Sequence, residues 1–403
     1  MTYKPTKQKQ HSLFHNDLFS ALVLLLSTFI ALVWTNSFIG HFYFEFWSTK
    51  LNFVSHLFSI NFDYKDVINM GFMSFFFFLI GLEIKKEIIV GELRHFRRSL
   101  LPVVAAIGGM VVPSLFYLGI TYSHRASQGW AIPMATDVAF AVAILSLVGK
   151  KVPSYLRSFL LTLAIVDDIG STAVIAIAYP KSVHIEYLGF SFLLILVIIL
   201  SKKIIKRNYL YILLAPLLWI LFLLSGIQAA LCGFVIGILI PIGLEKPNVG
   251  SPGRFQTYLK LIKANKKAED LIRPYVNFLV MPMFAFANTG IVFTTRFFKD
   301  PSMEIILGIV GGLVIGKTLG VVGSTWLVVK LGRVKLPKAI SWSHLLGLGF
   351  LSGIGFTVSL LMADLALSIP LERQAAKSAV LVGSAIAAVI GVAILSKPER
   401  LKK

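Results

Sequence analysis

Two adjacent carboxylates, Asp167 and Asp168, stand within the apolar stretch LeuThrLeuAlaIleValAspAspIleGlySerThrAlaVal. A charge near the centre of a bilayer costs at least about 2.5 to 3.5 kcal/mol, so such residues are candidates for function. Neighbouring residues on a helix point about 100° apart, which lets both carboxylates face one cavity from different angles. A pair of this kind can hold a cation.

Two further polar residues lie in apolar surroundings, Asp137 next to Thr136 and Lys317. Pro133 weakens the hydrogen bonding of the helix before Asp137, so a broken helix is expected there. Asp137 could balance the positive helix ends at such a break, and Lys317 the negative ends or an aspartate. The plainer alternatives are a proline kink with a capping aspartate and a purely structural counter-ion.

Glu83 and Glu87 flank two lysines at the end of an apolar stretch. Their spacing of four places both on one helix face, where they could collect cations at the mouth of a funnel. A solvated helix end is the equally simple alternative. Asp364, near the end of a later stretch, is expected to have a structural role in the better solvated interface.

The elements that must position these residues are transmembrane helices. Of the 403 residues 56% are hydrophobic and only 14% charged, which indicates a mostly helical membrane bundle. Twelve spans are predicted near residues 18–36, 67–84, 100–121, 131–149, 157–179, 187–201, 209–225, 228–243, 275–295, 304–329, 341–367 and 376–396. We expect one transmembrane domain over residues 1–403, with short tails at 1–17 and 397–403.

Basic and non-basic connections alternate along the chain. The formal net charge of +20 lies mostly in every second loop, as after the second and fourth spans. The positive-inside rule then places both termini in the cytoplasm and explains the charge without nucleic acid. The longest connection, 245–274, is predicted to be a basic loop with a short surface helix.

Two groups of three spans correspond to each other, the third to fifth and the tenth to twelfth. Pro133 interrupts the middle span of the first group, and glycines at 347, 349, 353 and 355 interrupt the middle span of the second. Interrupted spans at matching positions predict inverted repeats, with two broken helices that cross at mid-membrane depth.

A nucleotide-binding pattern also occurs, as Gly311-Gly312-Leu313-Val314-Ile315-Gly316-Lys317-Thr318. That motif requires a preceding strand and a soluble α/β domain, whereas this match lies in an apolar span. Glycines at 308, 312, 316 and 320 instead form the small-residue stripe that allows close helix packing in membranes.

Taken together, these segments closely resemble the NhaA-type sodium/proton antiporters over nearly the whole chain. The matching motifs are GlyLeuGluIleLysLysGlu (81–87), AlaAlaIleGlyGlyMetValValPro (105–113), GlyTrpAlaIleProMetAlaThrAspValAlaPheAla (129–141), AlaIleValAspAspIleGly (164–170), MetPheAlaPheAlaAsnThrGly (283–290), GlyLysThrLeuGly (316–320) and GlyIleGlyPheThrValSer (353–359).

The resemblance implies an all-α membrane protein of twelve helices with inverted repeats and two interrupted, crossing helices. It implies that Asp167 and Asp168 carry protons and the transported Na⁺ or Li⁺, with Lys317 as their partner. Thr136 and Asp137 then belong to the crossing.

For control by pH, the resemblance assigns Glu83 and Glu87 to a cytoplasmic entrance that responds to pH. Two departures concern this property. Met70 stands where relatives commonly have aspartate, and Gln228 where a histidine is frequent.

The predicted function is exchange of cytoplasmic Na⁺ or Li⁺ for external H⁺, electrogenic with two H⁺ per cation, pH-regulated and serving pH homeostasis and salt tolerance. We expect a bacterial inner-membrane location, lipid contact, no cofactor, no enzyme activity, no nucleic acid and possible homodimers. A cation channel, or a sensor that does not transport, is the main alternative, since fixed acidic sites also serve conduction and sensing.

Overall fold

A computed structural model describes residues 17–397, apart from 55–58, 90, 95, 122–125, 150–152, 181–182, 202–208, 241–266, 300, 333, 335 and 338–339. The predicted tails 1–17 and 397–403 lie outside the described residues except for Asp17 and Lys397.

Helices dominate the described part of the chain. In order they are α1 (Asp17–Thr35), α2 (Gly40–Ser48), α3 (Tyr64–Ile89), α4 (Phe96–Ile120), a 3₁₀ helix (Ala126–Met134), α5 (Val138–Val148), α6 (Ser154–Ala178), α7 (Ile185–Ser201), α8 (Tyr209–Ser225), α9 (Leu231–Leu239), α10 (267–288), a 3₁₀ turn (Thr295–Phe298), α11 (Ser302–Lys330), α12 (Trp342–Ser352), α13 (Phe356–Ala366) and α14 (Pro370–Leu395).

These helices confirm the predicted membrane architecture. Six are long and apolar enough to cross a bilayer alone, and two bent pairs also qualify when each pair is taken as one span. The shorter helices α7, α8, α9 and α10 coincide with the remaining predicted spans. Large apolar side chains such as Phe29, Leu213 and Val389 are exposed, as expected of surfaces that face lipid.

Both predicted helix breaks are present. The 3₁₀ helix Ala126–Met134 bends by 44° into α5, and α12 bends by 45° into α13. The first break begins two residues after Pro133, and the second falls at Gly353–Gly355. The broken pairs cross, because the main-chain N–H of Asp137 in one break donates to the carbonyl of Ile354 in the other, at 2.6 Å.

The predicted repeats are confirmed in the order of elements. Each group consists of a long helix, a broken pair and a second long helix: α4 to α6 in the first and α11 to α14 in the second. The two breaks meet where the N–H of Asp137 donates to the carbonyl of Ile354, as expected of inverted repeats.

The glycine stripe packs α11 closely against its neighbours. A side chain at Gly312 would meet Pro133, one at Gly316 would meet Pro113, and one at Gly320 would meet the backbone of Gly108. The stretch 311–318 is helical throughout and includes a π-helical turn, Gly312–Gly316, directly before Lys317. Packing therefore explains these glycines, and a phosphate-binding loop does not.

Three features between the spans differ from the prediction. Helix α2 and an antiparallel hairpin, β1 (Lys50–Val54) with β2 (Ser59–Asp63), lie between the first two spans, and the hairpin pairs Lys50 with Asp63. The loop predicted over 245–274 lies partly outside the described residues, but α10 already begins at 267. Glu269 and Arg273 form an ion pair four residues apart, which favours a helix there.

Candidate functional site

Asp137 joins the two broken helices at their crossing. Its Oδ1 accepts a hydrogen bond from the N–H of Phe140 at 3.0 Å and so caps α5. Its Oδ2 accepts from the hydroxyl and the N–H of Thr357, at 2.7 and 3.3 Å, in the first turn of α13. One buried carboxylate thus accepts hydrogen bonds at the positive ends of both helices, the position that suits a compensating charge.

Hydroxyl groups satisfy the carbonyl ends of the same breaks. Thr136 donates to the carbonyl of Ser352 at 2.7 Å, and Ser359 donates to the carbonyl of Ile132 at 2.7 Å. Each broken helix therefore supplies a hydroxyl to the end of the other. These bonds fix the crossing and satisfy the carbonyl groups at its broken helix ends, as a membrane interior requires.

Lys317 lies against both a helix end and an aspartate. Its Nζ donates to the carbonyl of Met134, at the end of the 3₁₀ helix, and forms an ion pair of 2.9 Å with Asp167 Oδ2. Both side chains are 0% exposed. Lys317 therefore contacts both groups considered for it in the sequence analysis, the carbonyl end of a helix and an aspartate.

Asp168 faces a cavity instead of the lysine. The cavity has a volume of about 400 Å³ and is lined by Asp168, Thr136, Asp137, Glu83 and Glu87. It extends to Lys86, whose side chain is 41% exposed. The described structure thus brings most of the predicted site residues to one cavity. Asp167 and Lys317 are not among the residues that line it.

At the mouth of this cavity the acidic residues already have partners. Arg273 forms ion pairs with Glu83, at 2.6 Å, and with Glu269, which also pairs with Lys86 at 2.9 Å. Burial raises the pKa of Glu269, but the charges of Arg273 and Lys86 outweigh burial and hold that pKa below its ordinary value. Glu83 is therefore part of a charge network and not a free cation collector.

Glu87 has a different role from its neighbour Glu83. Its Oε1 accepts from the main-chain N–H of Glu92 at 2.7 Å, at the start of the short 3₁₀ turn Glu92–Arg94. The two glutamates thus share the cavity but do not act as one pair.

A second ionic cluster lies at the other end of α3. Asp364 pairs with Lys377 at 2.7 Å, with Lys65 at 3.2 Å and with Arg373 at 3.9 Å. Its side chain is only 9% exposed, so the expectation of a well solvated interfacial position was wrong. The structural role expected for Asp364 agrees with its position, because the cluster ties α3, α13 and α14 together.

A chain of amides continues from this cluster into the bundle. Lys377 lies 3.4 Å from Asn288 Oδ1, and Asn288 donates to Asn69 Oδ1 at 2.7 Å. Gln228, one of the two departures noted in the sequence, donates to the main-chain carbonyl of Asn69 at 3.1 Å. The other departure, Met70, contributes its carbonyl as acceptor to Trp219 at 2.9 Å.

The sequence analysis missed several partners of the predicted residues. Thr357 and Ser359 lay within the quoted segment 353–359, where a hydroxyl among glycines was the available signal. Glu269 and Arg273 were assigned to a loop. Their spacing of four, together with the nearby basic residues, was the signal that could have identified a helix.

Comparison with known proteins identifies the relatives of this chain. Residues 11–395 match the family model described as Na⁺/H⁺ antiporter 1. The Na⁺/H⁺ antiporter NhaA 1 of Clostridium beijerinckii is 38% identical over 94% of this chain and 93% of its own length. The Na⁺/H⁺ antiporter NhaA of Citrobacter koseri is 37% identical over 94% of this chain and 96% of its own. A solved structure, the sodium proton antiporter MjNhaP1 from Methanocaldococcus jannaschii, aligns over 94% of this chain and 90% of its own, with 13% identity and a TM-score of 0.49.

Proposed function

Because the chain belongs to the Na⁺/H⁺ antiporter 1 family, we propose that it exchanges Na⁺ for H⁺ across a membrane, with Asp167 and Asp168 as the carriers. The single observation that supports this site most strongly is the buried ion pair between Lys317 and Asp167, next to an aspartate that faces a cavity. A cation that enters this cavity meets Asp168 first.

Competition for the two carboxylates couples the opposite fluxes. Na⁺ binds between Asp167 and Asp168 by displacing Lys317 from Asp167 and a proton from Asp168, and Lys317 gives up its own proton as the ion pair breaks. When the site faces the other side, protons replace Na⁺ and the ion pair forms again. Each transported ion excludes the other, so neither flux runs without the opposite one.

The charge of the site accounts for electrogenic exchange. With one proton on Asp168 and one on Lys317 in its ion pair with Asp167, the site is neutral, whereas one Na⁺ with two ionised carboxylates and a neutral Lys317 leaves one negative charge. A cycle with two H⁺ inward and one Na⁺ outward therefore moves one net charge, which gains about 2.3 kcal/mol from a potential of 100 mV. Li⁺, which has the same charge and takes the same oxygen ligands, is proposed as a second substrate.

The helix crossing belongs to the part of the protein that moves during transport. Asp137 and Thr136 hold the two broken helices together, so the helices that carry the site move against the rest of the bundle as one unit. The whole chain acts as one transporter domain, with both termini in the cytoplasm of a bacterium and the cavity open to the same side.

Control by pH is proposed to reside at the cavity mouth. Glu83, Glu269, Arg273 and Lys86 form a charge network there. Protonation of Glu83 would release Arg273, which now bridges α3 and α10, and would change access to the cavity. Homodimer formation stays a prediction from the sequence.

The test is counterflow in proteoliposomes that contain a pH-sensitive dye. Addition of Na⁺ or Li⁺ should release protons, whereas K⁺ should not, and an imposed membrane potential should change the rate. A conductance that dissipates a Na⁺ gradient without any proton flux would instead support a channel.

A further inference from the structure

Two oxygen atoms on α6 are buried without a hydrogen-bond partner. Among the described residues, four buried side-chain atoms have no partner: Trp47 Nε1, Asp167 Oδ1, Ser171 Oγ and Glu304 Oε2. Asp167 and Ser171 are 0% and 2% exposed and lie four residues apart, so they occupy the same face of α6, one turn apart.

Ser171 differs from buried hydroxyl residues such as Ser114 and Thr162. A serine or threonine in a helix commonly donates to the carbonyl four residues earlier. Ser114 does so at 2.8 Å and Thr162, on α6 itself, at 3.0 Å. The hydroxyl of Ser171 makes no such bond to the carbonyl of Asp167. A buried polar group without a partner lowers stability, so its presence in a native protein needs an explanation, and a bound ion is one that suits a transport site.

The surroundings of Asp167 are rich in oxygen. Oδ2 is bound by Lys317, and Oδ1 is free. Thr136 approaches the Asp167 carboxylate from the crossing with both its hydroxyl and its main-chain N–H, and its hydroxyl hydrogen is donated to the carbonyl of Ser352. The lone pairs of a carboxylate oxygen and of two hydroxyl oxygens are what a small hard cation takes as ligands.

We propose that the Ser171 hydroxyl is an additional ligand of the transported cation, which it binds together with Asp167 Oδ1. The assignment rests on the proposed function, since it places the ligand in the carrier site. A neutral oxygen adds coordination without adding a charge to be neutralised. Ser171 therefore contributes to affinity, and to discrimination between Na⁺ and the smaller Li⁺, while the number of protons exchanged stays the same.

The test compares purified Ser171→Ala with the wild-type protein in two measurements. Loss of one neutral ligand should raise the half-saturating Na⁺ concentration of proton release about three- to tenfold. Calorimetric titration of NaCl should give an affinity that is weaker by the same factor. The ratio of Na⁺ to Li⁺ half-saturation should change, and the charge moved per cation should not.

Matched variants separate a ligand from a packing residue. Thr162→Val removes a buried hydroxyl from the same helix, but one that is bound to Ser158, and should leave the Na⁺ affinity unchanged. Ser171→Thr keeps a hydroxyl group and should restore the affinity lost in Ser171→Ala. Because no internal hydrogen bond is removed, Ser171→Ala should melt no earlier than the wild type in the absence of Na⁺.

Two results would overturn the assignment. One is a Ser171→Ala protein with wild-type Na⁺ affinity, and the other is an equal loss of affinity in Thr162→Val. The proposed function fails separately, if the wild-type protein releases no protons on addition of Na⁺. Calorimetric Na⁺ binding that still depends on Ser171 would then support the ligand while rejecting the exchange.

Discussion

The protein contains two buried lysine–aspartate pairs, Lys317 with Asp167 and Lys377 with Asp364. The two pairs differ in what surrounds the carboxylate. Asp364 has three cations nearby, from Lys377, Lys65 and Arg373. Asp167 has one, and its second oxygen lacks a hydrogen-bond partner.

The difference separates a structural ion pair from one suited to exchange. Breaking a buried pair leaves an uncompensated charge and costs several kcal/mol, so a carboxylate with several cations holds its place. A carboxylate with one cation and a free oxygen can accept a replacement cation with less rearrangement. The predictions below test this contrast, from the largest expected effect to the smallest.

The double variant Asp167→Asn, Asp168→Asn should abolish exchange. Both groups that titrate and attract cations are removed while their shapes are nearly kept. Na⁺-driven proton release in proteoliposomes should fall to the level of empty vesicles, with correct insertion verified by protease protection. Full electrogenic, Na⁺-dependent exchange by this variant would refute the proposed site.

Asp364→Asn should damage stability and spare exchange. It leaves Lys65, Lys377 and Arg373 together without their common anion, and loss of one partner from a buried pair costs about 3 to 5 kcal/mol. Thermal unfolding of the purified protein should occur at a clearly lower temperature. The exchange rate per folded molecule should stay close to that of the wild type, and loss of Na⁺-driven proton release in folded protein would reject the contrast.

The two lysines should respond differently to removal. Lys317→Ala leaves Asp167 buried without a cation, at a cost of about 3 to 5 kcal/mol, whereas Lys377→Ala leaves Asp364 with Lys65 and Arg373. Lys317→Ala should therefore melt earlier than Lys377→Ala in Na⁺-free buffer.

Na⁺ provides the matched control for these variants. It should raise the melting temperature of Lys317→Ala by binding at Asp167, since a ligand that binds only the folded state stabilises it. The same addition should not rescue Lys377→Ala. An equal response of both variants to Na⁺ would show that the two pairs do not differ as described.

The smallest effect concerns the ion pairs outside the membrane. The pKa of Glu269 lies below its ordinary value of 4.5 in the folded protein. A lowered folded-state pKa means that the ion pairs of Glu269 stabilise the protein above pH 4.5 and that this contribution is lost as the pH falls through the lowered value.

Melting curves between neutral pH and the acid range test this expectation. Glu269→Gln should melt earlier than the wild type at neutral pH, and the gap should narrow below pH 4.5. Asp270, the next residue on α10, is exposed and is not one of the network residues Glu83, Glu269, Arg273 and Lys86, so Asp270→Asn serves as a control with the same change of charge. A gap that stays constant with pH would contradict the contribution of Glu269.

Much of this architecture could be predicted from the sequence because membrane insertion acts on local composition. The lengths of the apolar segments predicted the membrane spans. The proline at 133 and the glycines near 353 predicted both helix breaks. The cost of charge in lipid singled out Asp167, Asp168, Asp137 and Lys317. These are properties of single segments, which a sequence displays directly.

Only the tertiary structure decided which of these charges meet. The ion pair of Lys317 with Asp167 joins positions 150 residues apart, and the bond between Asp137 and Thr357 joins positions 220 apart. Helix periodicity gives the direction of a side chain but not the neighbour that lies there. For the same reason the sequence could single out Asp364 but not its three cations, and Ser171 drew attention only because the packing left its hydroxyl without a hydrogen-bond partner.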